Sequence, residues 1–132
     1  MAKEKSRAGA KAFVRYYTEL INYSWATGAT EALRSTGSKT CDACQAAANG
    51  VESVISEGGF KRGADWHPTA VLVVPLEPAN APIINVAISV NKGQFKETRK
   101  AEARRIDPAI YHFDFYLQWR SQRWVITQIE GT

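Results

Sequence analysis

The feature that most constrains the fold of this chain is the order of two hydrophobic periodicities. Apolar residues recur every three or four positions over residues 5–27, the spacing of one face of a helix. The second half instead alternates apolar and polar residues, which is typical of half-buried strands. A helical start and a β-rich end, in 132 residues with 45% hydrophobic content, predict one α+β domain around a single core.

Three helices are predicted in the first half. The first covers residues 5–27, and a short second helix follows with Thr30 as its N-cap. The segment 34–40 is rich in Ser, Thr and Gly and is predicted to be a loop. The third helix begins near Cys41 and stops at the glycines that start with Gly58. The apolar face of the first helix consists of Ala8, Ala12, Phe13, Tyr16, Tyr17, Leu20, Ile21 and Trp25.

Two strands and a charged segment come next. Residues 70–76 are an apolar run rich in valine, and residues 84–90 alternate strictly, so both are predicted strands. The Asn-Lys-Gly signal at 91–93 is predicted to reverse the chain into residues 95–105. That highly charged segment is interpreted as an edge strand, with a helix as the open alternative.

The last third has the clearest strand pattern. Residues 111–119 and 124–129 are predicted to form a closing hairpin around a turn at 120–122. Along its first strand, one face carries Tyr111, Phe113, Phe115, Leu117 and Trp119, and the other carries His112, Asp114, Tyr116 and Gln118. Without a linker, residues 7–132 are predicted to be a single domain, and residues 1–6 a disordered or artificial start.

The positive charge is concentrated in one segment. The net charge of +4 is smaller than that of a dedicated nucleic-acid binder, so no nucleic-acid partner is expected. Between residues 92 and 105 there are six cations and two acids; the cations are Lys92, Lys96, Arg99, Lys100, Arg104 and Arg105. The segment is interpreted as a solvated edge strand, with a patch facing anionic lipid or wall polymer as the alternative, which Arg120 and Arg123 would extend.

Several short motifs resemble an uncharacterised family of actinobacterial cell-envelope lipoproteins. They are Ala12-Phe13-Val14-Arg15-Tyr16-Tyr17, Asn22-Tyr23, Ala26-Thr27-Gly28, Leu33 and Cys41-Asp42-Ala43-Cys44, with Gly58-Gly59 and Trp66 fitting the same pattern. The element order is similar to the cone-shaped nuclear transport factor 2-like folds, in which a curved antiparallel sheet wraps the first helix and leaves a pocket. The resemblance therefore implies this fold from about Arg7 onward.

The same resemblance implies a location. Members of the family carry a signal peptide, a lipid-bearing cysteine and a disordered spacer before the domain, and none of these is seen in this chain, where Met1 is followed by Lys3, Glu4 and Lys5. We therefore expect the domain to lie at the extracellular face of the cell envelope and to meet the membrane only through an anchor outside these residues. The family has no established reaction.

The CxxC pair, Cys41 and Cys44, is predicted to be a structural disulfide. Cysteines three apart in the first turn of a helix approach within bonding range. Free thiols, a redox pair and a zinc site remain alternatives, but zinc would need two further ligands and only His67 and His112 are available. A redox CxxC of the thioredoxin type follows a strand, whereas helix and loop precede this one. A bridge would pin the loop that enters the third helix.

Three polar residues of the closing hairpin are the catalytic candidates. His112, Asp114 and Tyr116 share one strand face, with Tyr16 or Tyr17 predicted across the pocket. Cone-fold enzymes that resemble ketosteroid isomerases and dehydratases use such groups, so Asp114 would be the general base of a lyase, isomerase or hydrolase. The favoured interpretation is that this polar face meets water and the aromatic face forms the core.

The sequence therefore favours a non-enzymatic binding or assembly domain of an exported lipoprotein, with a small-molecule enzyme as the alternative. No cofactor or metal is expected. A partner protein, lipid, wall polymer or small ligand would use the pocket or the sheet face; the candidate binding residues are Tyr17, Tyr116, Trp119, Lys96, Arg99, Lys100 and Arg104. A homodimer through the open sheet face is also expected, with Tyr116, Trp119 and Trp124 as its exposed aromatics.

Overall fold

A computed structural model describes residues 2–75 and 77–132, and three helices precede all of its strands. The helices are α1 (Arg7–Thr27), α2 (Glu31–Ser35) and α3 (Asp42–Ser56). The strands are β1 (Gly58–Gly63), β2 (Trp66–Val73), β3 (Ile83–Val90), β4 (Gly93–Thr98), β5 (Arg104–Ile106), β6 (Ala109–Arg120) and β7 (Arg123–Gly131). All strand pairs are antiparallel, so the predicted α+β class is confirmed.

The helix α1 begins and ends at residues suited to those positions. The hydroxyl of Ser6 accepts a hydrogen bond from the Gly9 amide at 3.0 Å and caps the first turn. Gly28 ends the helix with a φ of 81°, and its amide donates to Ser24 at 2.7 Å. Among the described residues, no helix is long and apolar enough to cross a membrane.

The helix α2 extends two residues into the segment predicted as a loop, because Arg34 has partners on α3. Its guanidinium lies 2.6 Å from the Glu52 carboxylate and 2.6 Å from the amide oxygen of Asn49. Thr30 occupies the predicted N-cap position, but its hydroxyl donates to Glu52 instead of capping α2. The hydrogen bond from Arg34, and then that from Thr30, lowers the pKa of Glu52. These contacts hold α2 on α3.

The strands form a four-stranded sheet, β2-β3-β6-β7, and a three-stranded sheet, β1-β4-β5. Their registers are continuous: Trp66 pairs with Val90 in the first sheet, and Gly63 pairs with Gly93 in the second. The two sheets are therefore one surface that bends along a line, which we call the crease, through residues 64–65, 91–92 and 107–108. At the crease the Ala64 amide donates to the Lys92 carbonyl at 3.0 Å.

Two predictions about the charged segment are wrong. The turn signal at 91–93 bends the chain at the crease and does not reverse it, because β3 and β4 belong to different sheets and do not pair. The segment 95–105 is not one edge strand either, since β4 pairs with β1 on one side and with β5 on the other. Within this segment only the short β5 lies at an edge of the sheet, β1 being the opposite edge, and the helical alternative is not adopted.

The strands β1 and β2 also differ from the sequence prediction. Gly58 and Gly59 stop α3 as expected, but they also begin β1, where a Cβ on Gly59 would lie 2.1 Å from the Lys96 carbonyl oxygen. β2 begins at Trp66 rather than near residue 70, and its register shifts between Pro68 and Ala70 because proline cannot donate to the ladder. Met1 and Leu76, which fell within the predicted start and the predicted strand, lie outside the described residues.

The concave side of the bent sheet holds α1, as predicted. The Tyr17 ring packs edge-on to Phe115 at 5.4 Å, and the Trp25 ring packs edge-on to Phe95 at 6.3 Å. The core combines one face of α1 with the inner face of the sheet: Ala10, Phe13, Val14, Tyr17, Leu20, Ile21, Val71, Ile84, Val86, Ile88, Val90, Phe115, Leu117, Trp124 and Ile126.

A side chain of α1 also completes the backbone hydrogen bonding of the sheet. The Asn22 amide nitrogen donates to the Trp66 carbonyl at 2.9 Å, and the Trp66 amide donates to the Asn22 side-chain oxygen at 2.8 Å. This pair of bonds resembles one step of a strand ladder. It joins the C-terminal half of α1 to the first residue after the crease.

We predict that Asn22→Ala lowers the free energy of unfolding by about 2 kcal/mol, because it leaves two part-buried backbone groups of Trp66 unpaired. Urea denaturation of the purified variant measures the loss. Glu19→Ala, on the exposed side of the same helix, is the control and should change the stability by no more than about 0.5 kcal/mol. Equal stability of the two variants would show that the bonds to Trp66 contribute nothing.

Candidate functional site

The strand β6 places the catalytic candidates on the outer face of the sheet. Phe115 faces inward and contacts Tyr17 of α1. Because side chains alternate along a strand, His112, Asp114 and Tyr116 point away from the helix. The structure therefore does not bring them together with either tyrosine of α1.

Each of the outer candidates has a surface environment. The His112 side chain is exposed. The Asp114 carboxylate accepts a hydrogen bond at 2.9 Å from the side-chain amide of Asn85 on the neighbouring strand β3. The Tyr116 hydroxyl donates to Glu130 at 3.2 Å. Partial burial, and then this carboxylate, raise the pKa of Tyr116. Asp114 and Tyr116 thus have partners on neighbouring strands of the outer face, the face that the favoured sequence interpretation expected to meet water.

The two neighbouring tyrosines of α1 have different environments. Tyr17, predicted as a binding residue, is a core residue with 2% of its surface exposed, and burial raises its pKa to about 12. Tyr16 is 41% exposed, and its ring lies 6.3 Å from that of Phe13. Only Tyr16 is therefore available to a ligand.

Tyr16 lines a cavity of about 440 Å³ that we call the aromatic cleft; its lining consists of Ala2, Lys3, Phe13, Tyr16, Ser35, Thr36, Arg123 and Trp124. Trp124 has 1% of its surface exposed and packs edge-on to Trp119 at 5.1 Å. The lining is mostly apolar, and Lys3 and Arg123 contribute cations to it. A volume of this size lies within the range of about 300–1,000 Å³ that is typical of small-molecule sites.

The N-terminal residues form one wall of the aromatic cleft. The Trp124 indole donates to the Glu4 carbonyl at 2.8 Å, and Ala2 packs against the core. Trp124, predicted as an exposed aromatic of a dimer interface, is thus buried beneath this segment. Trp119 packs on Trp124, whereas Tyr116 lies on the outer sheet face, so the three aromatics do not form one exposed surface.

A second cavity, the cationic pocket, adjoins the aromatic cleft; it has a volume of about 360 Å³ and is lined by Ser38, Lys39, Thr40, Arg120, Ser121, Arg123 and Val125. Arg123 lines both cavities. Its guanidinium also donates to the Ser35 carbonyl at 2.8 Å, which connects β7 to the end of α2. The two cavities are therefore neighbours on either side of one arginine.

The basic segment, for which an anion-binding patch was the alternative interpretation, does not form one patch. Arg104 lies over the inner Phe95 ring at 5.4 Å, so Lys96, the next residue of β4, points to the opposite face. Arg99 and Lys100 line a separate polar cavity of about 350 Å³ beside the end of α3. The four predicted cations thus occupy three different surfaces.

The predicted Cys41–Cys44 disulfide is confirmed, and both cysteines are buried. The sulfur of Cys41 accepts the Cys44 amide at 3.2 Å and so caps α3. A disulfide of this kind indicates an oxidising compartment rather than the cytosol.

The chain between α2 and α3, which packs on the disulfide through Gly37, lies against the edge of the sheet. Gly37 forms a parallel bridge with Ile126 of β7, and the Ile126 amide donates to the Thr36 carbonyl at 2.8 Å. This segment supplies Thr36 to the aromatic cleft and Lys39 to the cationic pocket. The contacts of this segment with β7 and with the disulfide therefore position part of both cavities, as well as the entry to α3.

Sequence reasoning missed most of this site. Phe13 and Trp124 are more than a hundred residues apart, so no local pattern connects them. The signal that was available is the spacing of Arg120 and Arg123 on either side of a two-residue turn, which places two arginines opposite each other.

Comparisons with known proteins bear on the fold. The profile of a family of unknown function, DUF6318, matches residues 1–130. A search of curated proteins gave no match. Among solved structures, the chain is similar to the intermembrane space region of the chloroplast protein ARC6, with a TM-score of 0.68, 11% sequence identity and 94% coverage of both chains. At this identity the likeness shows the fold alone.

We predict that Gly37→Ala destabilises the protein by about 1–3 kcal/mol, the usual cost of overpacking. A Cβ there would lie 2.6 Å from the Cβ of Cys44 and 2.8 Å from its sulfur. Gly50→Ala, inside α3 with open space around it, is the matched control and should stabilise by about 0.5–1 kcal/mol. Thermal unfolding under non-reducing conditions measures both, and similar melting temperatures for the two variants would contradict the packing of Gly37 on the disulfide.

We also predict that Tyr17→Phe flattens the fall of stability above pH 10. The unfolded chain loses the Tyr17 proton near pH 10 while the folded chain keeps it to about pH 12, so rising pH lowers the free energy of unfolding. The contribution is about 1 kcal/mol at pH 11. Urea denaturation between pH 8 and pH 11 tests this, with Tyr23→Phe as the control for loss of an exposed hydroxyl. Parallel curves for Tyr17→Phe and the unmodified protein would refute it.

Proposed function

The chain belongs to the family of unknown function DUF6318, and we propose that it is a non-enzymatic binding or assembly domain whose binding site is the aromatic cleft. The observation that carries this proposal is the cleft itself. In it, the half-exposed Tyr16 and the buried Phe13 of α1 lie opposite Trp124 of β7. A concave, mostly apolar site with a few polar groups at its rim is the usual form of a site for small molecules or apolar side chains.

The arrangement of the titratable groups favours binding over catalysis. The proposed general base, Asp114, and its neighbour His112 lie on the outer sheet face, away from the cleft. Tyr17 is held in the core. An enzyme of the proposed alternative class would need a carboxylate and a donor converging on one substrate. None of the described residues that line the aromatic cleft has a carboxylate side chain.

The proposed setting is the extracellular face of an actinobacterial cell envelope, where the domain belongs to an exported lipoprotein with a nuclear transport factor 2-like fold. Two observations support this setting: the buried disulfide, which suits an oxidising compartment, and the motifs around Phe13, Asn22 and Cys41 that resemble such lipoproteins. The N-terminal residues also run along the cleft, so an anchor attached through them would hold the site close to the membrane.

We predict that the neutral fluorescent probe N-phenyl-1-naphthylamine binds the protein saturably and that Tyr16→Ala weakens this binding about tenfold, because the variant removes an aromatic wall worth about 1.4 kcal/mol. Fluorescence titration measures the affinity, and circular dichroism verifies that the variant is folded. Tyr23→Ala removes another exposed tyrosine of the same helix, outside the cleft, and should leave the affinity unchanged. Absence of saturable binding, or equal effects of the two variants, would overturn the proposed site.

A further inference from the structure

The hairpin between β6 and β7 places two arginines directly opposite each other. Arg120 pairs with Arg123 across a two-residue turn in which Ser121 and Gln122 both have positive φ, at 50° and 66°. This is the geometry of a tight hairpin turn whose twist matches the strands. The two positive side chains are therefore held at a fixed cross-strand position, where like charges destabilise a sheet.

The contacts of these arginines do not offset their charge. Arg120 donates to the amide oxygen of Gln118 at 2.8 Å, and Arg123 donates to the Ser35 carbonyl. Both acceptors are neutral. Within residues 2–75 and 77–132, no carboxylate forms an ion pair with either arginine or with Lys39, the third cation of the pocket.

The other lining groups of the cationic pocket are suited to an anion. Ser38, Thr40 and Ser121 bring hydroxyl groups to the same cavity as the three cations. Hydroxyls and guanidinium groups together donate several hydrogen bonds to one oxyanion, and a planar guanidinium fits phosphate and carboxylate geometry closely. The pocket is thus complementary in charge and in hydrogen bonding to an anionic group with several oxygens.

We propose that the cationic pocket binds the phosphate of a single-chain anionic lipid whose acyl chain lies in the aromatic cleft. Arg123 lines both cavities, so a ligand passing this residue has its polar end beside Arg120 and Lys39 and its apolar end beside Tyr16 and Trp124. A phosphate monoester matches three cations better than a carboxylate does, because it carries about −1.5 to −2 charges at neutral pH. This inference rests on the proposed function and adds the ligand class.

The test compares two lipids with the same chain below their critical micelle concentrations, 1-myristoyl lysophosphatidate and 1-monomyristoylglycerol, each displacing N-phenyl-1-naphthylamine. We expect the lysophosphatidate to bind about tenfold more tightly, since charge-assisted hydrogen bonds to its phosphate are stronger than hydrogen bonds to the neutral headgroup. The preference should shrink as salt is raised. Myristate is the third ligand and tests whether a carboxylate serves equally well.

The variant that separates headgroup from chain is Lys39→Gln/Arg120→Gln. It removes two cations without touching the contact between Arg123 and Ser35. We expect the affinity for lysophosphatidate to fall to that for monomyristoylglycerol, whose own affinity should stay unchanged. The control is Lys100→Gln/Arg105→Gln, which removes one exposed lysine and one exposed arginine outside the pocket and should keep the preference.

The outcomes distinguish this inference from the proposed function. Equal binding of the two matched lipids, retention of the preference in Lys39→Gln/Arg120→Gln, or tighter binding of myristate would overturn the phosphate site while the cleft still binds. Failure of lysophosphatidate to displace a bound probe would also overturn the ligand class alone. If the neutral probe itself does not bind, the proposed function and this inference fail together.

Discussion

The crease in the sheet is the constraint on which the rest of the structure depends. The chain crosses it three times, between β1 and β2, between β3 and β4 and between β5 and β6. The backbone segments at this line lie too close together for larger residues. A Cβ on Gly63 would lie 2.6 Å from the Lys92 carbonyl oxygen, and one on Gly93 would lie 2.4 Å from the Arg62 carbonyl oxygen. The bend gives the sheet a concave side deep enough to hold α1, and it therefore determines which side chains become the core.

The helix in turn stabilises the bend through contacts on both sides of the crease. Asn22 binds the backbone of Trp66 just after it, and Trp25 packs on Phe95 of the three-stranded part. The Lys61 ammonium lies 5.3 Å above the Trp25 ring and donates to the Ala64 carbonyl at 3.2 Å, while burial lowers the pKa of this lysine. The inner face of the C-terminal half of α1 is thus packed on the sheet, whereas the half with Phe13 and Tyr16 lines the cleft.

Local periodicity was sufficient to predict elements whose pattern is set by their own residues. It placed α1, α3, β3 and β6 within a few residues of their observed bounds. It failed where the cause lies in a partner strand. The pair Gly58 and Gly59 is a local signal for the end of a helix. β1, however, exists because Gly59 lets the β4 backbone approach, and that contact has no local signature. The turn signal at 91–93 coincides with the bend at the crease, but the predicted reversal was wrong because the partner of the next strand is not encoded locally.

The candidate site shows the same limit for function. The alternation of β6 correctly separated His112 and Asp114 from the aromatic residues, but only the contact between Phe115 and Tyr17 decided which face is inside. The cleft and the cationic pocket combine α1, the α2–α3 segment and the β6–β7 hairpin, so their parts are scattered along the whole sequence.

The disulfide connects this site to the fold. It is buried at the start of α3, away from any surface on which thiol exchange would occur, and a Cβ on Gly37 would collide with it. The segment it restrains adds a bridge to the outer edge of β7, which protects that edge from pairing with another chain. The same segment brings Lys39 to the pocket that contains Arg120 and Arg123. The segment that packs on the disulfide through Gly37 therefore both covers the edge of the sheet and supplies Lys39 to the cationic pocket.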